Sequence, residues 1–249
     1  MNETATRRSR YREHRPPPAW RHAVARTWEQ RIVPDGGVYR QRILPDGHAD
    51  LVVHDDGLAV VVGPATAVTT ADLAAGGTVR GVRLAFDAVH AVLGLPAAEL
   101  TDRVVPLSAL VDAPAAAVLV DAVGVADPAA LRAVDRWLAP RRPRPEVTAA
   151  VRALWREPDV PDVVAVAGRV GLSARQLRRT LHTEVGLGPK TFQRIGRLHR
   201  FLTLATARPG AGLAELAAAA GYADQPHLSR ESRALAGLTA AELLAFQRG

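Results

Sequence analysis

Cysteine is absent from the 249 residues. Disulfides, thiolate metal sites, iron–sulfur ligation and cysteine nucleophiles go with it. Lysine is almost as scarce: every positive side chain except Lys190 is arginine. Aromatic residues make up only 4% of the chain, so its core must come mainly from Val, Leu and Ala. No apolar run approaches the ~18–20 residues of a membrane-spanning helix, because Arg, Asp or Gly interrupts each Ala/Val-rich stretch. Residues 1–18 contain no hydrophobic segment and do not read as a secretory signal. A Gly-x-Ser-x-Gly elbow and a Gly-rich phosphate loop are missing too, and with them two signatures of hydrolase and nucleotide chemistry. The expectation is a cytoplasmic protein that is not an enzyme, with no catalytic residue, cofactor, metal or membrane partner.

The charge that is present is unevenly placed. Residues 1–45 carry 10 Arg against 4 acids, residues 46–140 carry 5 Arg against 12 acids, and residues 141–249 carry 17 Arg or Lys against 9 acids. The net charge of +7 therefore hides an acidic middle between basic ends. That asymmetry is expected when one part of a chain meets a polyanion and another does not.

Pro140-Arg141-Arg142-Pro143-Arg144-Pro145 removes backbone donors and biases its neighbours away from helix, so 140–146 reads as an extended linker. Residues 1–18, ending in Pro16-Pro17-Pro18, read as a flexible basic arm. In 19–139, short β-branched runs at 37–44, 49–53 and 58–62 are separated by Pro45-Asp46-Gly47 and Asp55-Asp56-Gly57, which suggests antiparallel hairpins. Residues 78–86 alternate as a further strand, Asp87 is placed to cap a helix running to Val92, and segments from 114 and over 128–138 look helical. The expected fold of this part is α+β, a small antiparallel barrel or sandwich with helices. After the linker the pattern is helical throughout, over 147–155, 162–170, 173–183, 189–205, 213–220, 224–235 and 240–246.

Two of these helix pairs have the form of helix–turn–helix units. In the first, Gly171-Leu172 supplies the turn, and Ser173 with Gln176 three residues later forms a capping box. Leu177 and Leu181 then face inward, while Arg175, Arg178, Arg179 and His182 share the opposite face. In the second, Gly221-Tyr222 is the turn and Asp224 the cap. Pro226 falls where a missing N–H is harmless, with His227, Arg230 and Arg233 outward. Leu177/Leu228, Arg179/Arg230, Gly186/Gly237 and Leu187/Leu238 each lie 51 residues apart, so the units repeat one another in register.

The segments Gly171-Leu172-Ser173-Ala174-Arg175-Gln176-Leu177-Arg178-Arg179 and Leu213-Ala214-Glu215-Leu216 through Gly221-Tyr222-Ala223-Asp224-Gln225-Pro226-His227-Leu228-Ser229-Arg230 resemble the DNA-binding domain of AraC/XylS-family transcriptional regulators. The resemblance covers 147–249. It implies seven helices, with two recognition helices entering successive major-groove segments and a long helix at 189–205 fixing their spacing. By position it assigns Arg175, Arg178 and Arg179 to bases or nearby phosphates from the first unit, and Gln225, Pro226, His227 and Arg230 from the second. Arg194 and Arg197, with Arg200, become candidates for phosphate contact. The family's large aromatic after Arg230-Glu231 is Ser232 here, and its proline after Gly237-Leu238-Thr239 is Ala240, which suggests a looser second unit.

The motif Arg42-Ile43-Leu44-Pro45-Asp46-Gly47-His48-Ala49-Asp50-Leu51-Val52-Val53, with Gly81–Phe86 and Leu93–Leu100 motifs following, resembles the sensor-like domain attached to many actinobacterial members of that family. The resemblance implies small-molecule binding, dimerisation, or both. Double-stranded DNA is thus the expected partner, with RNA polymerase, an effector and a second copy as further candidates. The alternative is an N-terminal domain that only dimerises or binds a protein. His48, Asp50 and His54 could share a strand face as metal ligands, but the turn at 55–57 begins there and a strand-end surface role for His54 is favoured. Trp20 and Trp28 read as ordinary core.

Overall fold

The computed structural model describes residues 2–5, 9–34, 37–124, 128–156 and 162–248. Nine strands come first: β1 (Asn2–Ala5), β2 (Ser9–His14), β3 (Val24–Ile32), β4 (Tyr39–Ile43), β5 (Asp50–His54), β6 (Ala59–Val62), β7 (Thr69–Leu73), β8 (Thr78–Leu84) and β9 (Val104–Pro106). Seven of them form one antiparallel sheet in the order β1-β2-β3-β8-β5-β6-β9, and β4 and β7 pair as a separate ribbon. Three helices follow or interrupt, α1 (Val89–Leu93), α2 (Ala113–Gly124) and α3 (Pro128–Leu138).

Strand alternation assigns the two faces of the sheet. Leu51, Val61, Val82 and Leu84 point to one side and pack with Trp20, Val92, Leu119 of α2, and Val134 and Leu138 of α3. Their neighbours Val52, Val60 and Val79 point to the other side, where Leu73 and Tyr39 of the ribbon cover them. Trp20 and Trp28 are both structural: Trp20 Nε1 donates to Asp135 at 2.6 Å and Trp28 Nε1 to Asp50 at 2.7 Å. Trp28 lies across β8 at Gly81, where a methyl group would come within 2.2 Å of the indole.

Three sequence expectations are corrected here. The basic arm is not free along its whole length, because Ser9–His14 pairs with β3 as β2. This strand is polar on both faces, yet Tyr11 packs on Trp28 and Glu13 reaches Arg83. Pro45-Asp46-Gly47 is not a hairpin turn: β4 pairs with β7, and β5 pairs with β6 and β8. Asp87 does not cap α1, whose N-cap residue is Ala88 with no side-chain bond. Its carboxylate accepts instead from Thr148 Oγ1, 61 residues away.

The C-terminal part holds seven helices among the described residues: α4 (Pro145–Arg156), α5 (Val163–Arg169), α6 (Ala174–Val185), α7 (Pro189–Ala207), α8 (Leu213–Ala219), α9 (Gln225–Ala236) and α10 (Ala240–Arg248). The helix α4 begins at Pro145, inside the expected linker. The long α7 is the spine, burying Phe192, Ile195, Leu198 and Phe201 against Leu177 and Leu181 of α6, Leu216 of α8 and Leu228 and Leu235 of α9. No helix among the described residues is long and apolar enough to cross a membrane.

Candidate nucleic-acid interface

The first unit is α5, a turn and α6. Gly171 takes φ +70°, a left-handed value that favours glycine. Ser173 Oγ then accepts from the Gln176 N–H at 3.2 Å, and the Gln176 side chain accepts from the Ser173 N–H at 2.8 Å. This reciprocal box starts α6 and sets its rotation about its axis. Leu177 and Leu181 are fully buried, so Arg175, Arg178, Arg179 and His182 turn outward and are exposed. Arg175, Arg178 and Arg179 make no hydrogen bond or ion pair among the described residues, which leaves a row of guanidinium donors without internal acceptors.

The second unit repeats the arrangement with α8 and α9. Gly221 takes φ +88° in the turn, and Asp224 Oδ1 caps α9 by accepting from the His227 N–H at 2.6 Å. Gln225, Pro226, Arg230 and Arg233 are exposed. His227 is half-buried, its ring edge-on to Tyr222 with centroids 5.4 Å apart. Ser232 and Ala240 are both fully buried. The helix α10 compensates for the missing proline with a capping box of its own between Thr239 and Glu242. The Ser232 hydroxyl, however, is left without a partner.

Arg194 and Arg197, the candidates for phosphate contact, both pair with an acid inside the domain. Arg194 Nε donates to Glu231 Oε1 at 2.8 Å, and Arg197 Nη2 to Glu231 Oε2 at 3.1 Å. With Glu231 side chain only 12% exposed, these pairs tie α7 to the back of α9. Arg200 donates to the carbonyls of Ala220 and Trp155, at the C-terminal ends of α8 and α4. Sequence reasoning missed Glu231, the acceptor that turns two arginines inward. Its spacing of 34 and 37 residues from Arg197 and Arg194 carries no local signal. Tyr222 lies under the same cluster, and burial above all, then the Glu231 charge, pushes its phenol far above the usual range.

The N-terminal domain meets this helical domain on two sides of its spine. On one side the rings of Phe86, His48, Trp155 and Phe192 stack and tilt together, with His48 and Phe86 centroids 3.8 Å apart. His199 Nε2 reaches the Pro45 carbonyl at 2.8 Å. On the other side the domain touches the C-terminal ends of α6 and α9. Thr101 Oγ1 donates to the Gly186 carbonyl at 2.7 Å, the Val68 N–H donates to the Leu235 carbonyl at 2.7 Å, and the Arg42 guanidinium donates to the Ala236 carbonyl. The acidic domain therefore packs against the basic one without covering the row of Arg175, Arg178 and Arg179.

Two sites in or beside the N-terminal domain bear on ligands. The cavity inside it, bounded by Trp20, Leu51, Val82, Leu119 and Leu138, measures only about 20 Å³. A far larger cleft of about 870 Å³ opens between the domains, bordered by Arg21, Arg26, Arg83, Arg142 and Arg152 and floored by Phe86 and Trp155. Arg83 sits among Glu13, Asp46 and Asp50 at 3.3, 3.2 and 3.2 Å. Burial pushes Asp50 up to about 6 in spite of Arg83. Asp46 is held below the ordinary carboxylate range, because Arg83 and His48 outweigh the effect of its burial. Burial likewise pushes His48 down to about 4. Neither His48 nor Asp50 faces His54 as a ligand partner: His48 precedes the strand and bonds to the Leu84 carbonyl, and Asp50 holds Trp28 and Arg83. Among the described residues no group of three such side chains could hold a metal.

Residues 166–245 match the family described as a helix-turn-helix domain, and residues 12–106 match a domain of unknown function, DUF6597. No curated protein matches the sequence. Among solved structures, the chain is similar to ToxT from Vibrio cholerae O395, with 10% identity and a TM-score of 0.42 over 98% of this chain and 100% of that one. It is also similar to the unsaturated fatty acid-bound wild-type ToxT of Vibrio cholerae strain SCE256, with 10% identity and a TM-score of 0.39 over 89% of each chain.

Proposed function

We propose that this chain, whose C-terminal region is an AraC-type helix–turn–helix DNA-binding domain, regulates transcription by reading two adjacent major-groove segments with α6 and α9. The observation that carries the reading is the row of Arg175, Arg178 and Arg179. These side chains are exposed, unpaired among the described residues and opposite the buried Leu177 and Leu181. A guanidinium fork matches guanine O6 and N7, and each such pair discriminates by ~1–3 kcal/mol. In the second unit Gln225, Pro226 and Arg230 make up the reading edge, with His227 contributing from its partly withdrawn position. Arg194 keeps enough exposure for a phosphate contact, whereas Arg197 serves mainly to seat α9. We place the domain boundaries so that the sheet and its helices, up to 139 and with β1 and β2 included, make one unit and the helical domain from 145 onward the other.

The reading is tested by letting the full chain select duplexes from a randomised pool, then comparing it with an Arg178→Ala/Arg179→Ala double variant at two salt concentrations. Non-specific binding falls steeply with salt, and specific binding exceeds it by ~10³ or more. The expected result is a competitor-resistant complex that the double variant weakens by about a hundredfold, as the loss of two base contacts requires. Equal binding by both proteins, lost alike at the higher salt, would falsify the assignment.

A second reading concerns control. The interdomain cleft has room for a small molecule, and its five arginines against Glu13 and Asp87 favour an anionic one, whereas the cavity inside the N-terminal domain has no such room. An effector there would touch both domains at once. The competing view, a domain that only dimerises or binds a protein, assigns the cleft no role.

A further inference from the structure

We infer that residues 64–68, braced by Asp102, set the separation of the two recognition helices, so that Thr66, Thr101 and Asp102 are positioning residues for DNA recognition. The inference rests on reading α6 and α9 as the helices that meet DNA. The last carbonyls of a helix have no partner within it, and in both units the N-terminal domain supplies one. Gly186, which ends α6 at φ +84°, receives Thr101 Oγ1 on its carbonyl. A methyl group at Gly186 would come within 2.9 Å of the Ala97 carbonyl oxygen and 3.1 Å of Pro64. At the equivalent end of α9, Leu235 receives the Val68 N–H and Ala236 receives Arg42. Pro64 and Val68 are the two ends of one five-residue loop, which cannot span more than about 17 Å. One short loop therefore touches both recognition helices at matching positions.

The loop is held rather than free. Among the described residues Asp102 is alone, apart from glycines, in taking a positive φ, +57°. Such a conformation is disfavoured in an L-residue and persists where its surroundings enforce it. Here it lets one carboxylate take both polar groups of Thr66, the N–H on Oδ1 and the hydroxyl on Oδ2, each at 2.7 Å. The Asp102 N–H returns to the Pro64 carbonyl at 3.1 Å, and the Gly63 N–H reaches the Arg103 carbonyl at 2.9 Å. Gly63 is pressed so closely on Leu100 that a methyl group would fall 1.8 Å from its carbonyl oxygen. The spine helix α7 fixes the centre of the domain, and this bracket fixes the far ends of the two helices that leave it.

The absence of cysteine allows spin labels to be placed at His182→Cys on α6 and Arg233→Cys on α9 of the full chain without a background. The inter-label distance is measured in the labelled parent, in Asp102→Gly, which keeps the left-handed backbone but loses the carboxylate, and in Thr66→Val, which keeps the shape but loses the hydroxyl. The expected result is a narrow distribution in the parent that broadens about twofold in both variants, as for a segment released from a two-sided constraint. Distributions of unchanged width in both variants overturn the inference. On duplexes selected by unlabelled parent protein, one base pair inserted between the two boxes costs the parent at least about tenfold, the worth of one base contact. The unlabelled variants should lose less than about threefold. A parent-like spacing penalty in both variants removes the positioning role. A parent that selects no duplex overturns the DNA reading itself, and the label distances still decide whether the loop holds the helices.

Discussion

His48 lines the interdomain cleft and Asp50 stands two residues on, against Trp28 and Arg83, and burial shifts their pKa values in opposite directions. Burial pushes His48 down to about 4, so the native chain lacks a proton that the unfolded chain holds below pH 6.5. Its contribution to stability is therefore lost as pH falls. Burial pushes Asp50 up to about 6, so the native chain holds a proton that the unfolded chain releases above its ordinary value of 3.8. Its contribution is present at low pH and lost as pH rises through 6. Between pH 4 and 6 the two slopes oppose each other, and the parent should be nearly pH-independent from this pair. Asp50→Asn removes the offset, and the variant should lose about 1.4 kcal/mol per pH unit on acidification through that window. Thermal melts of parent and variant at pH 4.5, 5.5 and 6.5 check it; parallel profiles would sink the assignment of these two protonation states. None of this was legible in the sequence, where His48, Asp50 and His54 invited a metal reading. What decides their chemistry is enclosure by Phe86 and Arg83, residues 36 to 38 and 33 to 35 positions away from His48 and Asp50 along the chain.

Among the elements, α6 depends on its cap more than its length suggests. Eight of its twelve residues are polar or charged along ARQLRRTLHTEV, and three neighbouring arginines on one face repel one another, so the helix relies on Leu177, Leu181 and the Ser173 box. Ser173→Ala should cost about 1 kcal/mol, read as a lower Tm, and it should weaken specific DNA binding more than Arg152→Ala, a change remote from the box. A variant with the parent's Tm would show that packing alone starts the helix. The helices of the C-terminal domain were readable to within a few residues because their signals are local: glycine at the turns, Ser173 and Asp224 as caps, Pro189 and Pro226 in first turns. The strands were less so. Ser9–His14 carries no apolar alternation and becomes a strand through partners supplied by Val24–Ile32 on one side and Asn2–Ala5 on the other. The run at 37–44 announces a strand but not its partner, and it joins Thr69–Leu73 instead of the nearer β5. Strand pairing is a contact between distant segments, and single-segment patterns do not specify it.

At the scale of the whole molecule, the first basic block shares a sheet with the acidic middle, β3 pairing with β8, while the second basic block is helical, with the short stretch at 139–144 between α3 and α4. The charge count did not reveal how the units meet. Their junction uses aromatic packing and backbone carbonyls, while Arg194 and Arg197, the expected phosphate contacts, pair with Glu231 inside the helical domain. The cleft at this junction gives the control hypothesis a direct test. Small carboxylates and phosphates titrated against the full chain should raise Tm by mass action, and Arg142→Ala/Arg152→Ala should abolish the rise without lowering the unliganded Tm by more than a degree or two. A panel with no effect on the parent would favour the dimerisation view.

The loop that spans Gly186 and Leu235 bears on how such proteins can be recombined. A cut between α3 and α4, near Pro140, would separate the helical domain from the rest of the chain. In this chain a graft made there would carry both helix–turn–helix units but leave their sockets behind, because Pro64, Val68, Thr101 and Asp102 belong to the other donor. A chimera that transplants those four residues along with 145–249 keeps the fit, and one that omits them inherits reading heads without their gauge.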